Sequence, residues 1–455
     1  MEILEFLRDV LSQPALLIGI VSFIGLVALR RPAHKVMTGT LKPILGYLML
    51  SAGAGVIVSN LDPLGKMIET GFHIAGVVPN NEAITSVAQK MLGVETMSIL
   101  VVGLIFNLLI ARFTKYKYVF LTGHHSFFMA CLLSAVLGAS GFSGTQLILV
   151  GGFILGAWSS ISPAIGQHYT MQVTEGDEIA MGHFGSLGYY LSAWAGKFAG
   201  KPEDSTEKIE IPEKWGFLRD TTVSTALTMM VIYLIAAIAA GPSYVATLSG
   251  SMSPFLFALM AALQFAVGVT VVYAGVRMIL GDLIPAFQGV ATKIIPNAIP
   301  AVDCAVFFTY APTAVVIGFL SSFIGGIIGM LILGALGGVL IIPGLVPHFF
   351  CGATAGIFGN ATGGRRGAAF GAFINGLAIT FLPALLLPVL GSLGFQNTTF
   401  GDADFGVLGI LIGQAANAVG MMGVYAILAI LLAVLVIPSF LKTKSNVINY
   451  YGEEE

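Results

Sequence analysis

Long apolar runs follow one another through nearly the whole chain, and they leave few folds open. About eleven stretches, near 14–30, 41–58, 95–113, 118–140, 145–165, 220–240, 254–279, 312–338, 347–361, 367–391 and 420–441, approach the ~20 mainly apolar residues that carry a helix across hydrocarbon. The stretch 347–361 is short enough to be a partial span. Only 10% of the 455 residues are charged, against about 25% in soluble domains. With 56% hydrophobic residues and a mean hydropathy of +0.91, the chain reads as an all-α polytopic membrane protein. The net charge of −2 carries little information; the ionisable residues sit mostly between the apolar runs and give no basic surface, so no nucleic-acid partner is expected.

Glycine accounts for 57 residues, well above the ~7% norm, and small residues let helix backbones approach closely where lipid supplies no hydrophobic drive. Cys131, Cys304 and Cys351 are far apart in apolar surroundings, lack metal-ligand spacing and read as core residues. The N-terminal Met1-Glu2-Ile3-Leu4-Glu5 lacks the basic region of a secretory signal, so the first apolar run is expected to remain in the mature protein.

Charge fixes an expected orientation. With the loop Arg30-Arg31-Pro32-Ala33-His34-Lys35 in the cytoplasm, Arg112, Lys115, Lys117, the segment Lys197 to Arg219, Arg277, Lys293, Arg365, Arg366, Lys442 and Lys444 all fall inside. Only Arg8, Lys66 and Lys90 fall outside. The N-terminus is then external and the C-terminus cytoplasmic.

Within this frame the chain repeats itself at an offset of about 220 residues. Val78-Pro79-Asn80-Asn81-Glu82 is answered by Ile299-Pro300-Ala301-Val302-Asp303, Ala54-Gly55-Val56 by Ala274-Gly275-Val276, His125-Ser126-Phe127-Phe128 loosely by His348-Phe349-Phe350, and Gly176-Asp177 by Gly401-Asp402. An odd number of crossings separates equivalent spans, so the repeats, 41–196 and 254–419, are expected to have inverted topology, with a site near the midplane where they meet. A polar linker, 197–219, expected in the cytoplasm, joins them, and residues 1–455 are expected to form one membrane domain. Leu61 to Gly76 and Leu283 to Asn297 are expected as amphipathic pieces along an interface. Ile179 to Ala195 and Phe405 to Val419 look re-entrant, and backbone broken at membrane depth is tolerated only where protein or a watery cavity covers it.

The candidate site residues are polar groups in these apolar surroundings. Glu82 and Asp303 each follow a proline, and carboxylates at membrane depth are costly enough that they usually face a cavity or partner. Either could instead serve only as a helix N-cap. Of the adjacent His124 and His125, His124 is assigned to the cavity and His125 to structure; His183 lies in the first re-entrant segment. An imidazole at this depth can hydrogen-bond a polyhydroxylated ligand or take up a proton. No phosphate-binding loop, nucleophile elbow, His-Glu-x-x-His or Cys-x-x-Cys is present, so neither catalysis by this chain nor a bound cofactor is expected.

At Leu121-Thr122-Gly123-His124, Gly182-His183, Ala301-Val302-Asp303-Cys304-Ala305 with Tyr310-Ala311-Pro312, and Ile341-Ile342-Pro343-Gly344-Leu345-Val346-Pro347, the sequence resembles the membrane (IIC) component of the ascorbate-type bacterial phosphotransferase system, over nearly its whole length. The resemblance implies a homodimeric permease of the bacterial inner membrane that carries L-ascorbate or a related sugar by an elevator-like motion. Soluble IIA and IIB proteins would phosphorylate the sugar, IIB being the immediate donor. It implies ligand contacts at His124, His183 and Asp303, with Asn81 and Glu82 lining the same site. The ascorbate-type pattern carries glutamines near the positions of Phe128 and Phe184 here and a tyrosine near Glu82. Fewer amide donors and an added carboxylate disfavour an ascorbate anion unless Glu82 is protonated or turned away. The repeats alone would equally allow a proton-coupled secondary transporter of a small polar or anionic solute, working through Asp303 and Glu82.

Overall fold

The computed structural model describes residues 10, 13–73, 76–79, 81–176, 179–209, 221–391 and 399–440, with only the backbone described at some helical positions, Glu82 among them. The helices are α1 (Pro14–Ala28), α2 (Ala33–Gly71), α3 (Asn81–Phe113), α4 (Gly123–Ala139), α5 (Gly144–Thr174), α6 (Ser186–Ala199), α7 (Thr221–Ala240), α8 (Pro242–Ser249), α9 (Pro254–Lys293), α10 (Pro312–Ala335), α11 (Leu345–Gly391), α12 (Ala403–Val419) and α13 (Met421–Phe440). Three short strands interrupt them: β1 (Tyr118–Phe120), β2 (Ala180–Met181) and β3 (Ile299–Val302).

Seven of the described helices are long and apolar enough to cross a membrane, and α7 with α8, bent by 116°, makes an eighth span if the pair is one. The all-α polytopic membrane fold read from the apolar runs is what these helices build. The remaining expected spans correspond to the shorter α1 and α4 and to a division of α11, where Gly364 (φ 59°, ψ −154°) separates arms 345–363 and 365–391. Only glycine suits that break: a Cβ there would lie 2.4 Å from the Lys201 carbonyl oxygen and 2.6 Å from that of Asp204. Side chains on the outer faces, such as Val231, Ile235 and Ile238 on α7 and Ile324 and Leu331 on α10, are exposed, as a lipid-facing surface requires.

Several local expectations change. The segment 61–71 does not lie along an interface but continues α2 through Pro63, and 283–293 likewise continues α9 through Pro285. The apolar run from residue 118 starts as buried strand β1, and its helix begins only at Gly123. The linker up to Ile209 is folded onto the helices. Glu207 accepts hydrogen bonds from the Thr313 and Ala314 N–H groups (2.9 and 3.3 Å) and so caps α10, while the Thr206 N–H donates to Asn360 Oδ1 at 2.8 Å. The other linker residues 210–220, Asp177 and the C-terminal residues 441–455 lie outside the described residues.

Strand β3 sits between β1 and β2, parallel to both, with Ile299 opposite Tyr118 and Ala301 opposite Ala180. Pro300, which lacks an N–H, is tolerated in this central strand because bonds to β1 come from its neighbours: Ile299 N donates to Lys117 O (2.8 Å) and Leu121 N to Ala301 O (2.9 Å). A matching bridge pairs Val77, two residues before Pro79, with Ile341, through Val77 N to Leu340 O and Ile342 N to Val77 O, both 2.9 Å. Each proline-bearing segment thus pairs with backbone from the other half of the chain.

Helices α2 and α9 cross through glycine. A Cβ on Gly53 would meet Gly268 O at 2.7 Å and Val272 N at 2.8 Å, and one on Gly275 would meet Gly46 O and Leu50 N at 2.6 Å each. The pairs 46/275 and 53/268 make the crossing antiparallel. Since backbone atoms cannot yield as a side chain can, Gly53→Val or Gly275→Val is expected to destabilise the protein by about 1–3 kcal/mol, the usual range for overpacking. Gly281→Ala, where a Cβ meets nothing within 4 Å, should be neutral. Thermal unfolding of the purified variants in detergent checks the contrast.

Candidate functional site

Broken backbone converges on one cavity of about 600 Å³, lined by Tyr47 and Ser51 of α2, Pro79, Asn81, His124, His125, Phe128, His183, Asp303, Cys304, Val346, Pro347 and Asp402, among others. Apart from Tyr47 and Ser51, which lie within α2, the polar residues named here sit where an element starts or ends. Asp303 leaves β3 and caps the 3-10 helix Cys304–Thr309, accepting the Ala305 N–H at 3.0 Å. His124 and His125 occupy the first turn of α4, Asn81 opens α3, Asp402 precedes α12, and His183 follows β2 three residues before α6. None of the described lining residues is Lys or Arg. The helix N-termini at the cavity supply partial positive charge instead, each α-helix end being equivalent to roughly +0.5 charge.

His124 Nδ1 lies 3.1 Å from the Tyr47 hydroxyl and Nε2 3.5 Å from Asp303 Oδ2. The neutral tautomer with the proton on Nε2 satisfies both: Tyr47 donates to the ring and the ring faces the carboxylate. His124 is the accessible imidazole, with 37% of its side chain exposed, against 4% for His125. The His183 Nδ1 accepts the Gly185 N–H at 3.1 Å and lies 2.7 Å from the Tyr189 hydroxyl, and the His125 Nδ1 accepts the Phe184 N–H at 3.4 Å. Both rings then keep Nε2–H as a donor. Their centroids are 3.7 Å apart, so the two imidazoles form one packed unit.

Asp402 completes the site. Its Oδ2 accepts from Asn81 Nδ2 at 2.9 Å and its Oδ1 from the Cys351 thiol at 3.0 Å, while Asn81 Oδ1 accepts the Gly401 N–H at 2.9 Å. Asn81 therefore ties the start of α3 to the start of α12. Ligand atoms of His125, His183 and Asp402 lie within 4.8 Å of one another, close enough to consider a metal. Both Nδ1 atoms already accept backbone N–H groups, however, and each Asp402 oxygen already accepts one bond, from Asn81 and from Cys351. The set is satisfied as a hydrogen-bonding surface and fits a hydroxyl-rich ligand better than a cation.

Of the sequence-derived candidates, His124, His183, Asp303, Asn81 and Phe128 are brought together in this cavity. The Glu82 side chain lies outside the described residues. Phe184 is fully buried, its ring stacked on Phe120 at 4.7 Å, so it supports the site through its N–H rather than facing a ligand. Tyr47, His125 and Asp402 also line the cavity. Asp402 carried a usable signal, a carboxylate between Gly401 and an apolar helix; Tyr47, inside a long span, carried none. Gly182-His183 lies just past the strand beside β3, and Gly401-Asp402 lies beside Asn81.

The chain is similar to a curated protein of Mycoplasma pneumoniae, the "Ascorbate-specific PTS system EIIC component", at 26% identity over 422 residues. That match covers 80% of this chain and 63% of the relative, so the chain spans less than two thirds of the length of that protein. Residues 9–404 match the family described as PTS system sugar-specific permease component (EIIC-GAT). With the site carried on breaks in a polytopic helical fold and the match running through nearly all of it, the chain belongs to the phosphotransferase-system sugar-specific permease (EIIC-GAT) family.

Proposed function

We propose that this protein is a phosphotransferase-system permease that carries L-ascorbate, or a related sugar or sugar acid, across the bacterial cytoplasmic membrane. The sugar is passed to soluble IIA and IIB proteins for phosphorylation in the cytoplasm, IIB being the donor. The observation that carries the reading is the cavity itself, in which His124, His183, Asp303 and Asn81 meet from four separate breaks in the chain. Donor imidazoles, acceptor carboxylates and an aromatic wall at Phe128 match the needs of a small polyhydroxylated ring. The printed name of the Mycoplasma relative favours ascorbate within that class.

In the same reading the chain is two inverted repeats, 41–196 and 254–419, with the N-terminus outside and the C-terminus in the cytoplasm. The reciprocal pairing of 77 with 341 and of 299 with 118, and the antiparallel crossing of α2 and α9, support this arrangement, since equivalent helices of inverted repeats run in opposite directions. A homodimer moving its site by an elevator-like displacement fits the way α1, α2, α7 and α9 pack on one another as a separate group. Proton coupling through Asp303 and Glu82 is the competing reading, and it gains a neighbour from the His124 ring, which lies 3.1 Å from the Tyr47 hydroxyl and 3.5 Å from the Asp303 carboxylate.

Two experiments test the proposal. Labelled ascorbate is offered to cells carrying the protein with and without its IIA and IIB partners, and the internal product is identified. Ascorbate phosphate formed only with the partners supports group translocation, whereas unmodified ascorbate that follows a proton gradient supports the competing reading. In the second, Asp303→Asn and His124→Ala are each expected to weaken binding about 10- to 100-fold, in keeping with ~1.5–3 kcal/mol for a hydrogen bond to a charged group. Calorimetry on folded, purified variants reads this, and unchanged affinity in both overturns the site.

A further inference from the structure

Asp404 is a fully buried carboxylate that does not line the cavity. It belongs to the first turn of α12, two residues after Asp402, yet its bonds go elsewhere. Oδ1 accepts the Leu187 N–H at 2.9 Å, and Oδ2 accepts the Ser186 hydroxyl at 2.9 Å and the Trp158 indole N–H at 3.1 Å. Its own N–H donates to Phe184 O at 2.9 Å. One residue of the second half thus holds the first turn of α6 by both backbone and side chain, and it anchors that turn to α5 through Trp158.

The geometry points to Asp404 as a positioning residue that joins the tips of α6 and α12, so that His183 and Asp402 present a single rigid surface to the ligand. His183 lies three residues before α6 and Asp402 directly before α12, and the bonds of Asp404 are the side-chain link between the two first turns. A carboxylate accepting three bonds in a dry interior is also much stiffer than its parts, because losing the carboxylate leaves three donors unsatisfied. The two tips then move together during transport, and neither opens alone as a gate. This rests on the reading of the cavity as a sugar site, but the joint between the tips can be measured without any sugar.

The test compares wild type with Asp404→Ala and Asp404→Asn. Hydrogen exchange is expected to rise at least tenfold in both segments 183–189 and 401–406 of Asp404→Ala, with α2 and α9 unchanged. Asp404→Asn, which keeps an acceptor for Leu187 and a donor for Ser186 while losing Trp158, should restore most of the protection. Unchanged exchange in either segment, or a rise spread evenly over the whole bundle, overturns the proposal whatever the substrate. On folded protein, affinity for ascorbate should fall at least tenfold in the Ala variant and less than threefold in the Asn variant. Equal affinity in wild type and Asp404→Ala would overturn the positioning role, while no binding by wild type would count against ascorbate as the substrate and leave the exchange result to decide on Asp404.

Discussion

Every polar backbone group at membrane depth needs a partner inside the protein, because hydrocarbon offers none and each unsatisfied group costs several kcal/mol. A chain of unbroken helices meets this requirement but brings no helix N-terminus into the interior. Here the chain breaks and repairs each break with backbone from elsewhere. The buried β1–β3–β2 sheet serves the breaks at 118, 180 and 299, and the bridge between Val77 and Ile341 serves two more. The freed helix N-termini then face one another around the cavity, so the cost of breaking the helices is offset by bonds that also build the site.

That constraint explains the composition of the lining. With positive helix ends already present, carboxylates at 303 and 402 are tolerated at depth without a lysine or arginine beside them. Glycine does the complementary work further out. Where α2 crosses α9, backbone meets backbone at Gly46, Gly53, Gly268 and Gly275, which gives close packing between two long helices that lipid does nothing to drive together. The same residue type closes the sheet, since a Cβ on Gly182 would lie 2.4 Å from the Ala301 carbonyl.

Much of the site was legible before any coordinates. Proline with a carboxylate three residues on marks a place where a helix cannot continue and an acid can cap the next helical turn, and Asp303 does this. His124 and His183 were legible as imidazoles within apolar runs. Tyr47 was not, because a tyrosine inside a span looks like packing until a histidine from α4 reaches its hydroxyl. Asp402 was seen only as part of a repeat, and His125 was assigned a structural part, whereas it both lines the cavity and packs on His183. Phe184, where the ascorbate-type pattern carries a glutamine and the resemblance implies a ligand contact, does not face the cavity, because the turn before α6 directs its ring into the core.

By itself the sequence determined the class of fold, the number and rough position of the apolar runs, the places where the backbone must break and most of the polar groups at those breaks. These follow from local properties: hydrophobic length, proline, glycine and the solvation cost of charge. Tertiary structure alone decided which breaks meet, that Asn81 reaches Asp402 across the two halves, that segments 61–71 and 283–293 extend helices rather than lie on an interface, and which ring of each His-aromatic pair faces the cavity. The physical reason is that partners more than 300 residues apart, such as Asn81 and Asp402, are chosen by how helices pack, and no local pattern along the chain encodes that choice.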